Sequence, residues 1–332
     1  MRTITLEEHF VTQSFLKATE SARATGLPQV ADLLPKLLDL GAGRIAAMDE
    51  AGIDHQVLSL ASQGFDDLDS ATATPLARDI NDELADAARA HPDRFSVFAT
   101  LDLKNPATAA KELERAVTKV GFVGTMLSGT TRIPGATPPS LFLDDARFLP
   151  VLEAAAHLAV PIYLHPALPP EAVREAYYTG LPGALGQVLS IAGWGWHAET
   201  ALHMLRLIVS GLFDRLPSLQ LIIGHMGEGL PYAMARSSGI LTRAAKLNKP
   251  VADYFQSNIH ITTSGYFTQP PLQCALDVVG IDRTMFSVDY PFSANAQGRD
   301  FLTAASSTLS PEDLAKLTHR NAERVLKLSP SE

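Results

Sequence analysis

Cysteine is nearly absent: the 332 residues include one, Cys274. That excludes an intramolecular disulfide framework and a thiolate metal cluster. A basic excess is missing too. Twenty-seven Lys and Arg face 36 Asp and Glu, a formal net charge of −9, so the basic footprint of a nucleic-acid binder is lacking. No apolar run approaches the ~18 residues of a membrane span. Charges interrupt the start, Met1-Arg2-Thr3-Ile4-Thr5-Leu6-Glu7-Glu8-His9, before a secretory apolar core can form. No internal repeat or low-complexity linker divides the chain, so residues 1–332 read as a single domain. What is present is a globular composition, 46% apolar and 19% charged, expected in the cytoplasm with neither a nucleic-acid nor a membrane partner.

Short apolar, β-rich runs recur along the chain: Thr3–Glu8, Gln56–Leu60, Phe95–Leu101, Phe122–Leu127, Pro161–Leu164, Leu219–Gly224, Asn258–Thr263 and Met285–Val288. Between them lie segments of helical spacing: Pro75–Ala90, Ala107–Lys119, Asp145–Leu158, Glu199–Leu212, Tyr232–Leu247 and Pro271–Val279. A last helix opens at Ser310-Pro311-Glu312, where serine suits the N-cap and proline the first turn. Strands separated by helices must run parallel, because a parallel neighbour requires a crossover. Eight such units predict an α/β fold of the (β/α)8 TIM-barrel type with long βα-loop insertions; an open α/β sheet in two halves is the alternative. The insertions are Phe10 to about Gly43 and Pro166 to about His197, which either roof an active site or decorate the surface as an oligomer contact.

The polar residues that need explaining interrupt or end these strands. Glu7 and His9 lie two apart on the first, so alternation sends both to one face and Glu8 to the other. His165, His225 and Asp289 end the fifth, sixth and eighth strands. One histidine at a strand end is commonly a satisfied core residue. Five ionisable groups at one end of four strands are hard to assign to packing, because lone buried charges are costly. One divalent cation resolves this, and Glu7, His9, His165 and Asp289 form an oxygen and nitrogen set suited to Zn2+ or Mn2+.

Leu6-Glu7-Glu8-His9-Phe10, His165-Pro166-Ala167, the run Gly224-His225-Met226-Gly227-Glu228-Gly229-Leu230-Pro231-Tyr232, and Phe286-Ser287-Val288-Asp289-Tyr290-Pro291-Phe292 carry a resemblance. The chain resembles the metal-dependent aromatic acid decarboxylases of the amidohydrolase superfamily, exemplified by γ-resorcylate, 2,3-dihydroxybenzoate and 5-carboxyvanillate decarboxylases. The resemblance runs from Leu6 to the final helix. It implies that Glu7, His9, His165 and Asp289 hold the metal and that His225 and Glu228 handle protons beside it. It further implies that Arg236 orients the substrate and that Phe292 lies near the aromatic ring, in some relatives across a subunit interface. A homodimer or homotetramer is implied as well. Binuclear hydrolases of the superfamily bridge two metals with a lysine ending strand four. Here that strand reads Phe122-Val123-Gly124-Thr125-Met126-Leu127-Ser128, and Lys119 before it should face solvent, so one metal is expected.

The expected reaction removes CO2 from a small aromatic carboxylic acid of the hydroxybenzoate type, reversibly in principle, with Asp289 delivering a proton to the ring carbon. A metal-dependent hydrolase of a lactone or amide is the alternative on the same barrel. The spacing of His225 and Glu228 also fits a hydrogen bond at a helix start, and Arg236 alone would read as a solvent-facing charge. Trp194, Trp196 and Tyr290 could wall the site or belong to the core. Arg44 reads as a helix-surface pairing and Cys274 as inert core. His55, His91, His157, His197, His203, His260 and His319 receive no role.

Overall fold

The computed structural model describes residues 2–19, 28–61, 64–133 and 135–329. Eight strands form one sheet, and each pairs in parallel with the next. They are β1 (Ile4–Phe10), β2 (His55–Leu60), β3 (Phe95–Ala99), β4 (Gly124–Ser128), β5 (Ile162–His165), β6 (Leu221–Ile223), β7 (Ile259–Thr262) and β8 (Thr284–Met285). Consecutive neighbours throughout mean that every crossover runs the same way round, as in a (β/α)8 barrel and not an open sheet in two halves. The helices between strands are amphipathic. In Ser70–Ala90, for example, Ala73, Leu76, Ala77, Ile80 and Leu84 are buried at helical spacing. Asp69 caps its start by accepting from Thr72 N at 2.8 Å. Among the described residues no helix is long and apolar enough to cross a membrane.

Burial falls into two layers. An inner cluster draws Ile4 and Leu6 from β1, Val57, Phe98, Met126, Tyr163 and Ile222 from β2 to β6, and Met285 from β8. Ala322 and Leu326 of the C-terminal helix Asn321–Leu326 pack against this lumen plug. A larger outer cluster lies between the strands and the helical ring. Polar side chains above the plug therefore face the barrel mouth.

The seam between β8 and β1 is closed differently from the rest. The ladder of β8 ends at Met285, short of the predicted Val288. Beyond it, Leu6 N and Glu7 N both donate to Ser287 Oγ, at 3.0 and 2.7 Å. These two amides are free because β1 bulges: its register against β2 shifts between Thr5 and Glu8. The bulge also lets adjacent residues, Leu6 and Glu7, serve the lumen together. Glu8, fully buried, then accepts from Ser287 Oγ, Val288 N and Tyr290 N at 3.0, 3.0 and 3.3 Å. One backbone bond, His9 N to Tyr290 O at 2.6 Å, crosses the seam as well, and the side chains of Ser287 and Glu8 complete the closure.

Two expectations are corrected here. Arg44 is not a surface residue: it is fully buried beneath β1, donating to His9 O at 2.6 Å and Asp39 O at 2.7 Å, with its guanidinium 4.9 Å from the Tyr290 ring centre. Cys274 is half-buried on Gln269–Val278 and not core. Lys119 is exposed, as expected. The insertions carry their own helices, Gln13–Ala18 and Pro28–Leu38 in the first, Glu171–Tyr178 and Leu185–Ser190 in the second; residues 20–27 of the first lie outside the described residues.

His203 and His260 have no part in the mouth, and both shape acid stability. Burial, with Arg206 adding to it, pushes His203 down to about 3. Burial, with Arg283 and Arg324, does the same for His260. His203 Nε2 accepts from Leu143 N at 2.8 Å, so the folded state needs it neutral. A depressed imidazole leaves stability intact above the ordinary value of 6.5 and removes it as pH falls toward 3, on the order of a few kcal/mol per group. Tm should therefore fall steeply below about pH 6, and less steeply in His203→Gln, whose amide oxygen still accepts. Equal slopes would clear the imidazole of any part in acid unfolding.

Candidate metal centre and active site

The site is assembled from strand ends. Glu7 and His9 lie on β1, His165 ends β5, His225 follows β6 and Asp289 follows β8. One donor atom from each of Glu7, His9, His165 and Asp289 lies within 4.8 Å of the others. His165 Nε2 stands 2.9 Å from Glu7 Oε1, and His9 Nε2 stands 3.2 Å from Asp289 Oδ1. Yet Glu7 Oε1 and His9 Nε2 have no hydrogen-bond partner among the described residues, although both are buried. Close approach without hydrogen-bond alignment means that these atoms aim at a shared point and not at one another. Tetrahedral ligands on bonds of ~2.05 Å are about 3.3 Å apart, close to both separations. Glu7, His9, His165 and Asp289 fit a single divalent ion.

The imidazoles are set for this. His165 Nδ1 lies 2.8 Å from the Pro166 carbonyl, which can only accept, so the proton sits on Nδ1 and Nε2 offers its lone pair. His9 Nδ1 lies 3.3 Å from Ser59 Oγ. Burial works against the charge of Glu7, but the facing imidazoles of His225, His165 and His9 outweigh it and hold the carboxyl well below the usual carboxylate range. Tyr163, from the lumen plug, donates to Glu7 Oε2 and also meets Thr262 Oγ1 at 2.7 Å. Sequence reasoning missed Tyr163, an apparent core aromatic within a strand.

A second constellation adjoins the first. The segment after β6 turns left-handed: φ is +48° at His225, +55° at Met226, +81° at Gly227, +56° at Glu228 and +75° at Gly229. Three non-glycine residues in this region each cost roughly 1–2 kcal/mol, so the turn is strained and not the ordinary helix start that the spacing also allowed. Gly227 is required twice, because a Cβ there would stand 2.9 Å from Pro231 Cδ. The turn brings His225 Nδ1 to 2.9 Å from Glu228 Oε1. His225 Nε2 faces Glu7 Oε1 at 3.7 Å and Asp289 Oδ2 at 3.8 Å. Burial disfavours the charged ring, but Glu228, Glu7 and Asp289 outweigh it and raise His225 well above its ordinary value.

Of the remaining expected residues, Phe292 stands at the mouth, its ring 5.5 Å from that of His9 and 43% exposed. Arg236 is exposed on Leu230–Ala244, and among the described residues no hydrogen bond or ion pair joins it to the cluster. Tyr290 is buried against Arg44, while Trp194 is exposed. His197, given no role in sequence, belongs to the site: its Nδ1 lies 2.5 Å from Glu228 Oε2. Nothing local announces it, since the contact bridges two segments 31 positions apart.

Tyr163→Phe should weaken metal binding by roughly 10–100-fold, because Glu7 Oε2 loses a phenol whose ring volume stays in place. A calorimetric titration with Mn2+ reads the change. Affinity equal to wild type would mean that the phenol does not orient Glu7.

Comparison with known proteins places these features. The family model described as Amidohydrolase matches residues 32–328. A γ-resorcylate decarboxylase of Polaromonas sp. JS666 is 38% identical, the match covering 98% of each chain. The crystal structure of dihydroxybenzoic acid decarboxylase from Polaromonas sp. JS666, with manganese and the inhibitor 2-nitroresorcinol, superposes with a TM-score of 0.90 at 36% identity, covering 99% of this chain and 98% of that one. That of 5-carboxyvanillate decarboxylase from Novosphingobium aromaticivorans, with manganese and 4-hydroxy-3-methoxy-5-nitrobenzoic acid, gives 0.88 at 32% identity, covering 98% and 96%.

Proposed function

From the premise that this chain belongs to the amidohydrolase family, we propose that its barrel mouth decarboxylates a 2-hydroxybenzoate-type acid, with 2,6-dihydroxybenzoate as the first substrate to test. The chain is a metal-dependent, non-oxidative decarboxylase, a carboxy-lyase that releases CO2 from a small aromatic acid. One observation carries the assignment of roles. Asp289 Oδ1 faces the metal-ligand atom His9 Nε2, while Oδ2 faces His225 Nε2. Its side chain is 16% exposed, more open than those of Glu7, His9 and His165. It therefore joins the metal, the substrate and the imidazole that can resupply a proton.

Glu7, His9, His165 and Asp289 are the residues that would hold the ion. When bound there, a divalent cation such as Mn2+ or Zn2+ supplies positive charge that retains a carboxylate and an ortho phenolic oxygen, with no redox change. Asp289 passes a proton to the ring carbon bearing the carboxylate. The C–C bond then breaks, its electron pair returns to the ring, and CO2 leaves. His225 Nε2 returns a proton to Asp289, and Glu228 holds the opposite nitrogen of that imidazole. Phe292 lies where an aromatic ring could stack against it. The hydrolase alternative has less to support it, since the similar proteins above are decarboxylases.

Incubation with 2,6-dihydroxybenzoate, 2,3-dihydroxybenzoate and 5-carboxyvanillate, following CO2 and the phenol, tests the reading. Turnover of lactones with no CO2 from any of the three would overturn it. Arg236 stays a proposed substrate-orienting residue on the strength of the family match: Arg236→Ala should raise KM about tenfold, close to the ~1.4 kcal/mol of one charge-assisted hydrogen bond. An unchanged KM removes it from the site. A cytoplasmic, single-domain homo-oligomer completes the proposal; exposed Tyr177, Leu185, Trp194 and Tyr232 are apolar surface that a second copy would cover.

A further inference from the structure

The left-handed turn presents Glu228 with both carboxylate oxygens engaged. Oε1 takes His225 Nδ1 at 2.9 Å and Oε2 takes His197 Nδ1 at 2.5 Å. All three residues are buried, at 8% exposure or less. The terminal torsion of a glutamate is soft, so one imidazole on one oxygen leaves the carboxylate plane free to swing. A second donor on the other oxygen removes that freedom.

His197 is itself firmly placed. It enters at the start of the helix Gly195–Val209, where a Cβ on Gly195 would stand 2.7 Å from the carbonyl carbon of Ser190. Only glycine allows that approach, and Trp196 N closes the turn onto Ile191 O at 3.2 Å. The outer nitrogen of His197, Nε2, lies 3.2 Å from the Ala192 carbonyl. Its ring meets His225 at 5.0 Å and Tyr266 at 5.5 Å between centres, both edge to face. The ring is thus anchored on one side to the second insertion and on the other to Glu228.

We propose that His197 is a positioning residue for decarboxylation: it locks the Glu228 carboxylate, and through it the ring of His225, so that His225 Nε2 faces Asp289. This rests on the functional reading above and adds to it the purpose of the second insertion, whose end delivers His197. His197 does not touch the substrate. The three residues are also a geometrically possible metal trio, but their contacts differ from those of the metal centre. Here 2.5 and 2.9 Å separations are aligned hydrogen bonds, with protons filling the space between the atoms. At Glu7 and His165 the same 2.9 Å is not a hydrogen bond.

The test compares His197→Phe, which keeps ring volume and removes the donor, with His197→Asn, whose amide can still donate to Glu228. In the manganese-loaded enzyme turning over 2,6-dihydroxybenzoate, His197→Phe should lower kcat by roughly 10–100-fold with KM within about twofold, and His197→Asn should recover most of the loss. Metal content should stay at one ion per chain in both variants. A second readout needs no turnover. In protein labelled with 15N-histidine, wild type should show two strongly deshielded Nδ1 protons, from His197 and His225. His197→Phe should lose one and displace the other; His197→Asn should lose one and leave the other in place. Wild type that releases no CO2 would defeat the functional reading, and the proton resonances would still decide whether His197 orients His225. An unmoved His225 resonance in His197→Phe, equal kinetic loss in both variants, or two ions per chain would overturn the inference.

Discussion

Asp289→Asn is expected to lower kcat by at least about 10³-fold, the scale of a lost general acid, while the protein still folds and still takes up manganese. The substitution is well suited to this question. Asp289 sits at φ +72°, a left-handed conformation that asparagine tolerates better than other side chains. Its amide oxygen keeps one ligand atom toward the ion, beside His9 Nε2. What disappears is the acidic proton, the one that His225 Nε2, 3.8 Å from Oδ2, would otherwise resupply. The check is kcat measured against metal content in the same preparation. Activity near wild type with metal bound would move the proton donor elsewhere, and loss of metal together with activity would leave Asp289 only a ligand.

The second large effect is structural. Glu8→Ala should destabilise the protein by about 3–5 kcal/mol, since three buried donors lose their acceptor at about 1–3 kcal/mol each, and lower Tm by roughly 6–15 °C. Glu8 alone receives Ser287 Oγ, Val288 N and Tyr290 N, so truncation leaves all three donors without that acceptor inside the seam. It also takes away a carboxyl that burial pushes up to about 7, beside Arg44, which is fully buried and pushed down to about 10 by burial, against the pull of Tyr290, Glu8 and Asp39. Val288 N and Tyr290 N flank Asp289, so the loosened seam should weaken metal binding as well. Glu8→Gln keeps one acceptor oxygen and should recover part of the loss. A calorimetric Tm for Glu8→Ala within about 2 °C of wild type would show that water or rearrangement satisfies the seam instead.

Glu8 and Arg44 also show where reading the sequence stops. Alternation along β1 correctly separates Glu8 from Glu7 and His9, yet it offers no partner for Glu8. Those partners lie about 280 positions away, on a strand whose ladder ends before it reaches them. Arg44, in a helix with mixed polarity, reads as surface because its acceptors are, apart from Gln56 Oε1, backbone carbonyls, which have no sequence identity. Tyr163 reads as core for a different reason: burial of the ring is legible, and the direction of its hydroxyl is not. The spacing of His225 and Glu228 was legible as a pair, but a separation of three fits either hand of turn. Only the run of positive φ from His225 to Gly229 shows which one forms.

The sequence by itself determined the alternation of strand and helix, hence parallel pairing and a barrel, and through it the strand-end residues Glu7, His9, His165, His225 and Asp289. These follow from periodicity and topology, which are properties of order along the chain. The tertiary structure alone decided that a bulge turns Leu6 and Glu7 together to the lumen, that Glu8 seals the seam, and that Tyr163 and His197 reach the cluster. Each of these depends on where two distant backbones come within hydrogen-bond reach. A distance of a few tenths of an ångström is set by packing the whole barrel and by no local pattern.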